Sequence, residues 1–263
     1  MDIRIKTYND VFWGDGFLSV FKTRAVVLKT QDFKENDKLV WLFTEKLGKI
    51  SAIAKNAKKG NSKLRAATLP FCYGDFVVYR GKSLYTINEI SIIDSFQVFL
   101  DDIDTLTYTS YLNELIDISL PDEESNRELF RIFMTAYYLI KNDVGDLEIL
   151  IRAFEIKLLE ATGYGINMEY CSICRNKIQI SNYIDIRYFG AVCDKCSTST
   201  CVKISNTTYN ALRFLSNLPL ERFYRLILDS NSKKELYQLL SNIISQIYKR
   251  KPKSLELLLS LKE

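Results

Sequence analysis

The first third of the chain alternates short apolar runs with turn residues, which is the pattern of successive β-strands. The runs cover residues 23–30, 38–43, 49–54, 76–79 and 84–93. The second and third runs are joined by a short segment that ends in Gly48, and the last two are joined across Gly81. Short joints that contain glycine are typical of hairpins. Five short strands within about 75 residues predict a small closed barrel, either an OB-fold or an SH3-like barrel.

The apolar spacing changes to a helical period after the barrel segment. A first helix is predicted over residues 105–120 and ends at Pro121. A second helix reaches residue 140, and Asp122 or Ser125 is placed to cap its beginning. One face of this second helix carries a stripe of large side chains that we interpret as core rather than as a ligand site: Leu129, Phe130, Phe133, Met134 and Tyr137.

Four more helical patterns follow along the chain. The first opens at Asp146 and ends near residue 161, before Gly163, which can close a helix in the left-handed conformation. The others cover residues 206–217, 233–249 and 254–261. Acidic residues cluster at two apparent helix beginnings, where they favour the helix dipole. We therefore assign a structural rather than a catalytic role to Asp101, Asp102, Asp104, Asp122, Glu123 and Glu124.

Two Cys-x-x-Cys pairs, separated by eighteen residues, form the strongest motif of the chain: Cys171, Cys174, Cys193 and Cys196. Such pairs bring four thiolates to one metal, so the spacing predicts a structural zinc site with one ion. An iron site of the rubredoxin kind uses the same ligands, and two buried pairs or redox thiols are the simpler alternatives. Cys72 and Cys201 are interpreted as non-ligands. We expect alternating residues between the pairs to form a short hairpin under the metal: Ile178, Ile180, Ile184, Ile186 and Tyr188.

Composition narrows the possible functions of the chain. Its 263 residues are enough for a substantial core and for two or three domains. Histidine is absent, and no Walker loop, Gly-x-Ser-x-Gly or Gly-x-Gly-x-x-Gly motif occurs, so we predict that the chain is not an enzyme. Asp10 and Asp15 interrupt the only segment that could be a secretory signal, and no apolar run spans a bilayer. We expect a cytoplasmic protein without membrane contact.

The charge of the chain is concentrated rather than spread. Residues 22–65 contain twelve Lys or Arg residues against four acids, although the whole chain has a net charge of only +4. Such a surplus indicates a polyanion-binding surface, and a solvated basic face is the simpler alternative. We select as candidate DNA-binding residues Arg24, Lys29, Lys34, Lys38, Lys55, Lys58, Lys59, Lys63 and Arg65.

Four aromatic residues of the barrel segment could serve as stacking platforms for bases. They are Phe33, Trp41, Tyr79 and Tyr85. Most aromatic residues of a small barrel lie in its core, so we expect base stacking from one of the four at most.

These segments resemble a known family. The run at residues 23–30 continues into Glu35-Asn36-Asp37-Lys38, residues 42–49 and residues 52–55. Ser62-Lys63-Leu64 and Leu69-Pro70-Phe71 complete a pattern that closely resembles the N-terminal domain of the bacterial recombination and repair mediator family RecO. The resemblance extends over about residues 21–261 and ends in Lys253-Ser254-Leu255. Members often have Gly-Gly before the second cysteine pair, where this chain has Gly190-Ala191.

The resemblance implies an α+β fold class. The implied architecture is an N-terminal five-stranded OB-fold barrel followed by a mainly α-helical domain, which carries an inserted four-cysteine zinc lobe. The implied domains are an extension at 1–20, the barrel at 21–98, the helical domain at 99–168 and 202–263, and the lobe at 169–201.

The resemblance also implies a function without bond-making chemistry. Members bind single- and double-stranded DNA and anneal complementary strands. With RecR, and in some pathways RecF, they load RecA onto strands coated by single-strand binding protein, whose acidic C-terminal tail they bind. They act in the RecF pathway of DNA repair, in the cytoplasm and on the nucleoid. A protein adaptor that captures acidic tails, or a metal-dependent nucleic-acid enzyme, is the alternative.

Overall fold

The first unit is a closed five-stranded barrel. The computed structural model describes residues 19–250 and 252–254, and this unit comprises the described residues up to Gln97 together with Asp122–Ser125. Its strands are β1 (Val20–Phe33), β2 (Asp37–Thr44), β3 (Gly48–Ala54), β4 (Tyr73–Arg80) and β5 (Tyr85–Asp94).

The strand order identifies the type of barrel. Around the barrel the order is β1-β2-β3-β5-β4, and β4 pairs again with β1. β3 and β5 run parallel, with Ala52 opposite Tyr85, whereas the other pairings are antiparallel. This order is that of an OB-fold, so the OB-fold alternative is confirmed over the SH3-like one.

Alternation along the strands separates the core of the barrel from its outer surface. Val40 and Leu42 of β2 are buried in the core, whereas Trp41 between them points to the outer surface. A bulge in β1 between Val27 and Lys29 shifts the register by one residue, so Lys29 lies opposite Trp41. The outer surface of β1 and β2 therefore presents a basic residue beside an aromatic ring.

A short helix, α1 (Leu64–Ala67), connects β3 to β4. The hydroxyl of Thr68 donates to the carbonyl of Leu64 and closes this single turn. The segment is held by backbone hydrogen bonds of consecutive turns, so it is ordered rather than an open loop.

Residues Asp122–Ser125 form a strap on the barrel rather than a helix beginning, and this corrects the capping role predicted for Asp122 and Ser125. The N–H of Glu123 donates to the carbonyl of Lys49 at 2.8 Å, and the Ser125 hydroxyl donates to the carbonyl of Glu45. The Asp122 and Glu123 carboxylates pair with Lys49 and Arg80, at 3.4 and 2.6 Å. These acids compensate barrel cations, not a helix dipole.

The second unit is mainly helical and comprises Val98–Pro121 and the described residues from Asn126 onward. Its helices are α2 (Ile103–Ser119), α3 (Arg127–Lys141), α4 (Leu147–Ala161), α5 (Asn206–Asn217) and α6 (Ser230–Tyr248), with 3-10 turns at Ile186–Tyr188 and Leu220–Arg225. A further 3-10 turn, Gln97–Leu100, begins at the last residue of the first unit before the strap. The predicted helix patterns are confirmed to within a few residues, except that the last one, at 254–261, lies almost entirely outside the described residues. Residues 1–18 of the predicted N-terminal extension also lie outside them.

Side-chain caps set the beginnings of these helices. Asp102 and Asp146, which were predicted to lie at helix beginnings, accept the backbone N–H groups of Thr105 and Ile149. The second helix is capped by Asn126, whose side chain accepts from Leu129. The aromatic stripe of α3 is confirmed as core, since its five members are buried.

A small sheet forms the frame of the four-cysteine segment. β6 (Tyr183–Asp185) lies between β7 (Gly190–Ala191) and β8 (Val202–Lys203). The predicted hairpin is wrong in extent, because Ile178 and Ile180 lie outside the sheet and Ile186 begins a 3-10 turn. The third strand comes from beyond the cysteines, a pairing that the alternation between them could not indicate.

No helix in the described part of the chain is both long enough and apolar enough to cross a membrane.

Candidate metal centre and candidate nucleic-acid interface

The four cysteines of the two Cys-x-x-Cys pairs converge on one point of the second unit. The Sγ atoms of Cys171, Cys174, Cys193 and Cys196 all lie within 4.8 Å of one another. Those of Cys174 and Cys193 are 3.8 Å apart, which is about the edge of a tetrahedron whose metal–sulfur bonds are about 2.3 Å long. All four are free thiols. The arrangement can therefore bind one metal ion through four thiolates.

Each pair lies on a tight turn that points both sulfurs inward. The N–H of Arg175 donates to the carbonyl of Cys171, and Arg175 has a left-handed backbone with φ of 65°. The N–H groups of Cys196 and Ser197 both donate to the carbonyl of Cys193. Cys193 in turn donates its own N–H to the sulfur of Cys171 at 3.5 Å, so the two turns are joined.

The electrostatics of the cluster favour a cation. Burial raises the pKa of the Cys171 thiol, but backbone N–H groups of Cys174, Cys193 and Ile173 outweigh it and lower the pKa to about 6. The pKa of Cys196 is raised to about 12, chiefly by hydrogen bonding with Cys193 and then with Cys174. Four sulfurs this close cannot all ionise unless a positive ion compensates their mutual repulsion. A divalent metal ion would supply that charge.

Close backbone packing at Gly190 holds the cysteine segment against its sheet. A Cβ atom at Gly190 would overlap the Ser172 hydroxyl and would lie 2.7 Å from the carbonyl oxygen of Asn167. The N–H of Ser172 donates to the carbonyl of Ala191, and the N–H of Ala191 donates to that of Asn167. This packing leaves no room for a side chain at Gly190, so glycine is required there, whereas Ala191 is accommodated.

The remaining cysteines do not belong to the group of four. Cys72 is buried in the barrel core, and burial raises the pKa of its thiol to about 11. The sulfur of Cys201 accepts the N–H of Thr198 and lies 4.0 Å from the Asp185 carboxylate. Neither thiol is a ligand in this arrangement.

The barrel brings most of the predicted DNA-binding cations to one end. The N–H of Asn56 donates to the Asp37 carboxylate at 2.8 Å, and that of Lys58 donates to the carbonyl of Asn36 at 3.0 Å. These bonds join the turn after β1 to the segment after β3, and consecutive tight turns continue that segment into α1. We call this group the basic end, and its members are Lys34, Lys38, Lys55, Lys58, Lys59, Lys63 and Arg65.

The basic end keeps a positive surplus after its local carboxylates are counted. Its seven cations face Asp32, Glu35 and Asp37, which leaves a net charge of +4. Lys58 pairs with Asp32 at 2.9 Å, and the Asp37 carboxylate is engaged by Asn56. All the cations are exposed except Lys38, which is half-buried. The surface therefore offers several solvated cations to a polyanion.

Arg24 and Lys29 stand apart from the basic end. Lys29 lies on the outer surface of β1, with its Nζ atom 4.8 Å from the centre of the Trp41 ring. Arg24 lies near the beginning of β1, where its carbonyl accepts the N–H of Glu45. Nine residues of strand separate Arg24 from the end of β1, roughly 30 Å at 3.3 Å per residue. One bound strand would have to follow β1 to reach all the candidate residues.

The aromatic candidates divide by exposure. Trp41 and Phe33 are half-buried on the outer surface, and the Nζ atom of Lys34 lies 5.5 Å from the centre of the Phe33 ring. Tyr79 is also half-buried. Tyr85 is only 4% exposed and belongs to the barrel core, so it cannot stack on a base and that candidate role is wrong.

Comparison with known proteins shows what kind of chain carries these features. The family model described as "Recombination protein O N terminal" matches residues 18–96, and the one described as "Recombination protein O C terminal" matches residues 100–256. A DNA repair protein RecO from Clostridium kluyveri is 55% identical over 248 residues, which cover 94% of this chain and 96% of that protein. The chain belongs to the RecO family.

Other RecO proteins give the same result across a range of similarity. The DNA repair protein RecO of Clostridium acetobutylicum is 52% identical over 246 residues, covering 94% of this chain and all of that protein. That of Alkaliphilus metalliredigens is 31% identical over 227 residues, covering 86% of this chain and 92% of the relative. The resemblance found in the sequence is thereby confirmed over nearly the whole chain.

The two RecO family matches divide the described features between them. The N-terminal match covers the barrel with its basic end, and the C-terminal match covers the helices and all four clustered cysteines. Lys49 and Arg80 were missed as interacting cations, because their partners Asp122 and Glu123 lie far along the sequence. The individual DNA-binding residues of this RecO chain stay predictions.

Proposed function

We propose that this chain is a non-enzymatic, DNA-binding mediator of recombinational repair in the RecF pathway. It binds single- and double-stranded DNA and anneals complementary strands. With RecR it helps to load RecA onto strands that single-strand binding protein covers. The proposed division of labour places DNA binding in a barrel domain at 21–98, partner contacts in a helical domain at 99–168 and 202–263, and metal binding in a lobe at 169–201.

The basic end of the barrel carries this proposal. Single-stranded DNA is bound by OB-folds through cations that follow the phosphate backbone and through aromatic rings that stack on bases. The basic end supplies solvated cations, and Lys29 beside Trp41 extends the same surface along β1. The names of the relatives, DNA repair protein RecO, support the same function.

Salt dependence tests this binding mode directly. Neutralisation of phosphates releases counterions, so affinity should fall linearly with salt on a logarithmic scale, with a slope of about −0.7 for each single-strand phosphate contact. The measurement is a fluorescence titration of a labelled single-stranded oligonucleotide at several salt concentrations. A flat affinity, or the absence of binding at low salt, would overturn the proposal.

The partners of the proposed mediator are RecR, the acidic C-terminal tail of single-strand binding protein, RecF and RecA. The family membership supports these partners. Co-purification of the full chain with RecR, and a titration with the tail peptide, test them separately. A chain that binds the tail peptide and no DNA would favour the adaptor alternative, in which the basic surface captures acidic proteins.

We propose that the four cysteines hold one structural zinc ion. The ligand set is all sulfur and its spacing fits a tetrahedron, as in closed zinc sites. In such a site the ion contributes folding free energy to a segment with few core residues of its own. A metal-dependent enzyme would need an open coordination position, and four thiolates fill the tetrahedron.

A further inference from the structure

An aromatic surface lies in the second unit, apart from the four cysteines. The ring of Tyr164, just after α4, meets Phe189 of the cysteine segment edge-on at 5.5 Å between centroids. The same ring meets Tyr248, the last residue of α6, edge-on at 6.2 Å. Tyr188 is the neighbour of Phe189 in the chain. Three separate parts of the unit thus bring aromatic rings together.

Two of these rings keep an open face. Tyr188 is 56% exposed and Tyr164 is 37% exposed, whereas Phe189 and Tyr248 are half-buried. The Tyr248 hydroxyl is already engaged with Thr162 at 2.7 Å, which fixes the ring. Aromatic residues that only fill a core are largely removed from solvent. Tyr164 and Tyr188 are not, so core packing does not account for them.

Cations follow or precede two of these rings in the chain. Lys249 and Arg250 follow Tyr248 directly; both are exposed, and neither forms an ion pair with a described residue. The Arg187 guanidinium lies 5.7 Å from the Tyr188 ring centre while it pairs with the buried Asp185. The dipole of α6 accounts for one cation near the end of the helix, but it does not account for the exposed rings.

One acidic group beside this surface is compensated. The Glu160 side chain lies beside Gly165, next to Tyr164 in the chain. Its carboxylate is 2.9 Å from the Nζ atom of Lys157, which also donates to the carbonyl of Ser216. The face thus combines exposed rings with the neighbouring cations Lys249 and Arg250, which fits a ligand with negative charges and flat rings.

We propose that this tyrosine face is a second binding site for single-stranded nucleic acid, separate from the barrel. Its members are Tyr164, Tyr188, Phe189, Tyr248, Lys249 and Arg250. Bases stack on the open rings, and phosphates contact the cations at the end of α6. The inference rests on the proposed function and deepens it, because a chain with one strand site in each unit holds the two strands that annealing requires.

The test is the number of oligonucleotides that one chain binds. The probe is a thymidine oligonucleotide of about ten nucleotides, within the site sizes of single OB-folds, titrated into the full chain by calorimetry at low salt. We expect two sites for the native chain. Tyr188→Ala, and separately Lys249→Glu with Arg250→Glu, should weaken one site by about 10-fold or more while leaving the other.

Matched variants control for loss of an exposed ring and for loss of charge. Tyr224 is 50% exposed in the same unit, so Tyr224→Ala controls for Tyr188→Ala. Arg225 and Lys234 are exposed cations of that unit, and their joint reversal to Glu controls for Lys249 and Arg250. Both controls should keep two sites with native affinity.

Photocrosslinking with 5-iododeoxyuridine in the same oligonucleotide locates the sites by mass spectrometry. Crosslinks at Tyr164 or Tyr188 as well as in the barrel support the inference. A single binding site with crosslinks confined to the barrel overturns the inference and leaves the proposed function standing. The tyrosine face would then be a protein contact or a structural feature. Absence of any binding overturns the proposed function. Crosslinks at the tyrosine face alone overturn only the assignment to the barrel.

Discussion

At the scale of single residues, the helical unit contains a buried charged group that its proposed function does not use. Glu155 of α4 is fully buried and accepts the Tyr111 hydroxyl at 2.5 Å. It pairs with Arg152 at 3.0 Å, and the Arg152 guanidinium lies 4.9 Å from the Tyr237 ring centre. Burial raises the pKa of Glu155 to about 7, although Arg152 and Tyr111 act in the opposite direction.

This raised pKa gives the stability of the chain a definite pH dependence. The folded carboxyl group binds its proton more tightly than the unfolded one, whose pKa is about 4.3. Its stabilising contribution is thus complete below about pH 4.3 and is lost as the pH rises towards 7. In the native chain this group should lower the free energy of unfolding by up to about 1 kcal/mol for each pH unit between pH 5 and 7. Glu155→Gln should abolish that part of the pH dependence, which urea unfolding between about pH 5 and about pH 7.5 measures.

The overall stability of Glu155→Gln is not the criterion, since Arg152 then loses its buried partner and the variant is weakened at every pH. The criterion is the slope of the free energy of unfolding against pH. Glu160→Gln, at the exposed end of the same helix, is the matched control for replacing a carboxylate by an amide. An unchanged slope in Glu155→Gln would show that Glu155 is ionised throughout this range.

At the scale of elements, the strap Asp122–Ser125 is an integral part of the barrel. Gly48 has a φ of 71°, and a Cβ atom there would overlap the backbone of Glu124. Gly48→Ala should therefore lower the free energy of unfolding by about 2 kcal/mol or more, through backbone strain and displacement of the strap. Chemical denaturation measures the loss.

Gly60→Ala is the matched control, since Gly60 lies in the same unit with open space around it. Its stability should stay within about 0.5 kcal/mol of the native value. Equal effects of the two substitutions would mean that the strap does not constrain Gly48.

The proposed metal site of the cysteine segment can be tested by single substitutions. Cys171 is fully buried within the group of four, whereas Cys201 lies outside it. Cys171→Ser should lose the bound metal and lower the melting temperature of the chain, while DNA binding by the barrel persists. Elemental analysis of the purified variants, together with circular dichroism, measures both effects.

Cys201→Ser should keep one metal ion per chain and nearly the native melting temperature. The assignment of ligands is contradicted if this variant loses the ion, or if Cys171→Ser retains it at full stoichiometry. Zinc and iron are distinguished in the same elemental measurement.

The sequence predicted those features that depend on contacts between residues close together in the chain. Asp102 and Asp146 cap helices through neighbours three residues away, and their positions at helix beginnings were predicted. Asp122 and Ser125 are equally good caps in sequence, but distant barrel residues engage them, so the helix begins after Asn126. The cysteine spacing is local and predicted the cluster.

Pairings between distant segments were beyond the sequence pattern. The parallel pairing of β3 with β5 and the addition of β8 to the small sheet both join segments that are far apart in the chain. Tyr85 also shows this limit, because alternation alone does not say which face of a barrel strand is inside. Its burial follows from the closure of the barrel.

At the scale of the whole molecule, net charge conceals where the candidate DNA-binding surface lies. The chain has a net charge of +4, and the basic end by itself has a surplus of the same size. The formal charges of all residues outside the basic end therefore sum to zero. Long-range attraction of a polyanion is set by such local concentration, so the binding surface is defined by position rather than by composition.

The most direct test of this claim is the salt slope of single-strand binding after two cations of the basic end are neutralised. Lys59 and Lys63 are exposed and form no ion pair with a described residue, so Lys59→Gln with Lys63→Gln removes charge without breaking an ion pair there. Lys22→Gln with Lys46→Gln, near the beginning of β1, is the matched control.

If the basic end contacts the phosphates, the first pair should reduce the magnitude of the logarithmic salt slope by about 1.4, at 0.7 per contact, while the control keeps the native slope. Equal slopes for the native chain and both variants would contradict the account.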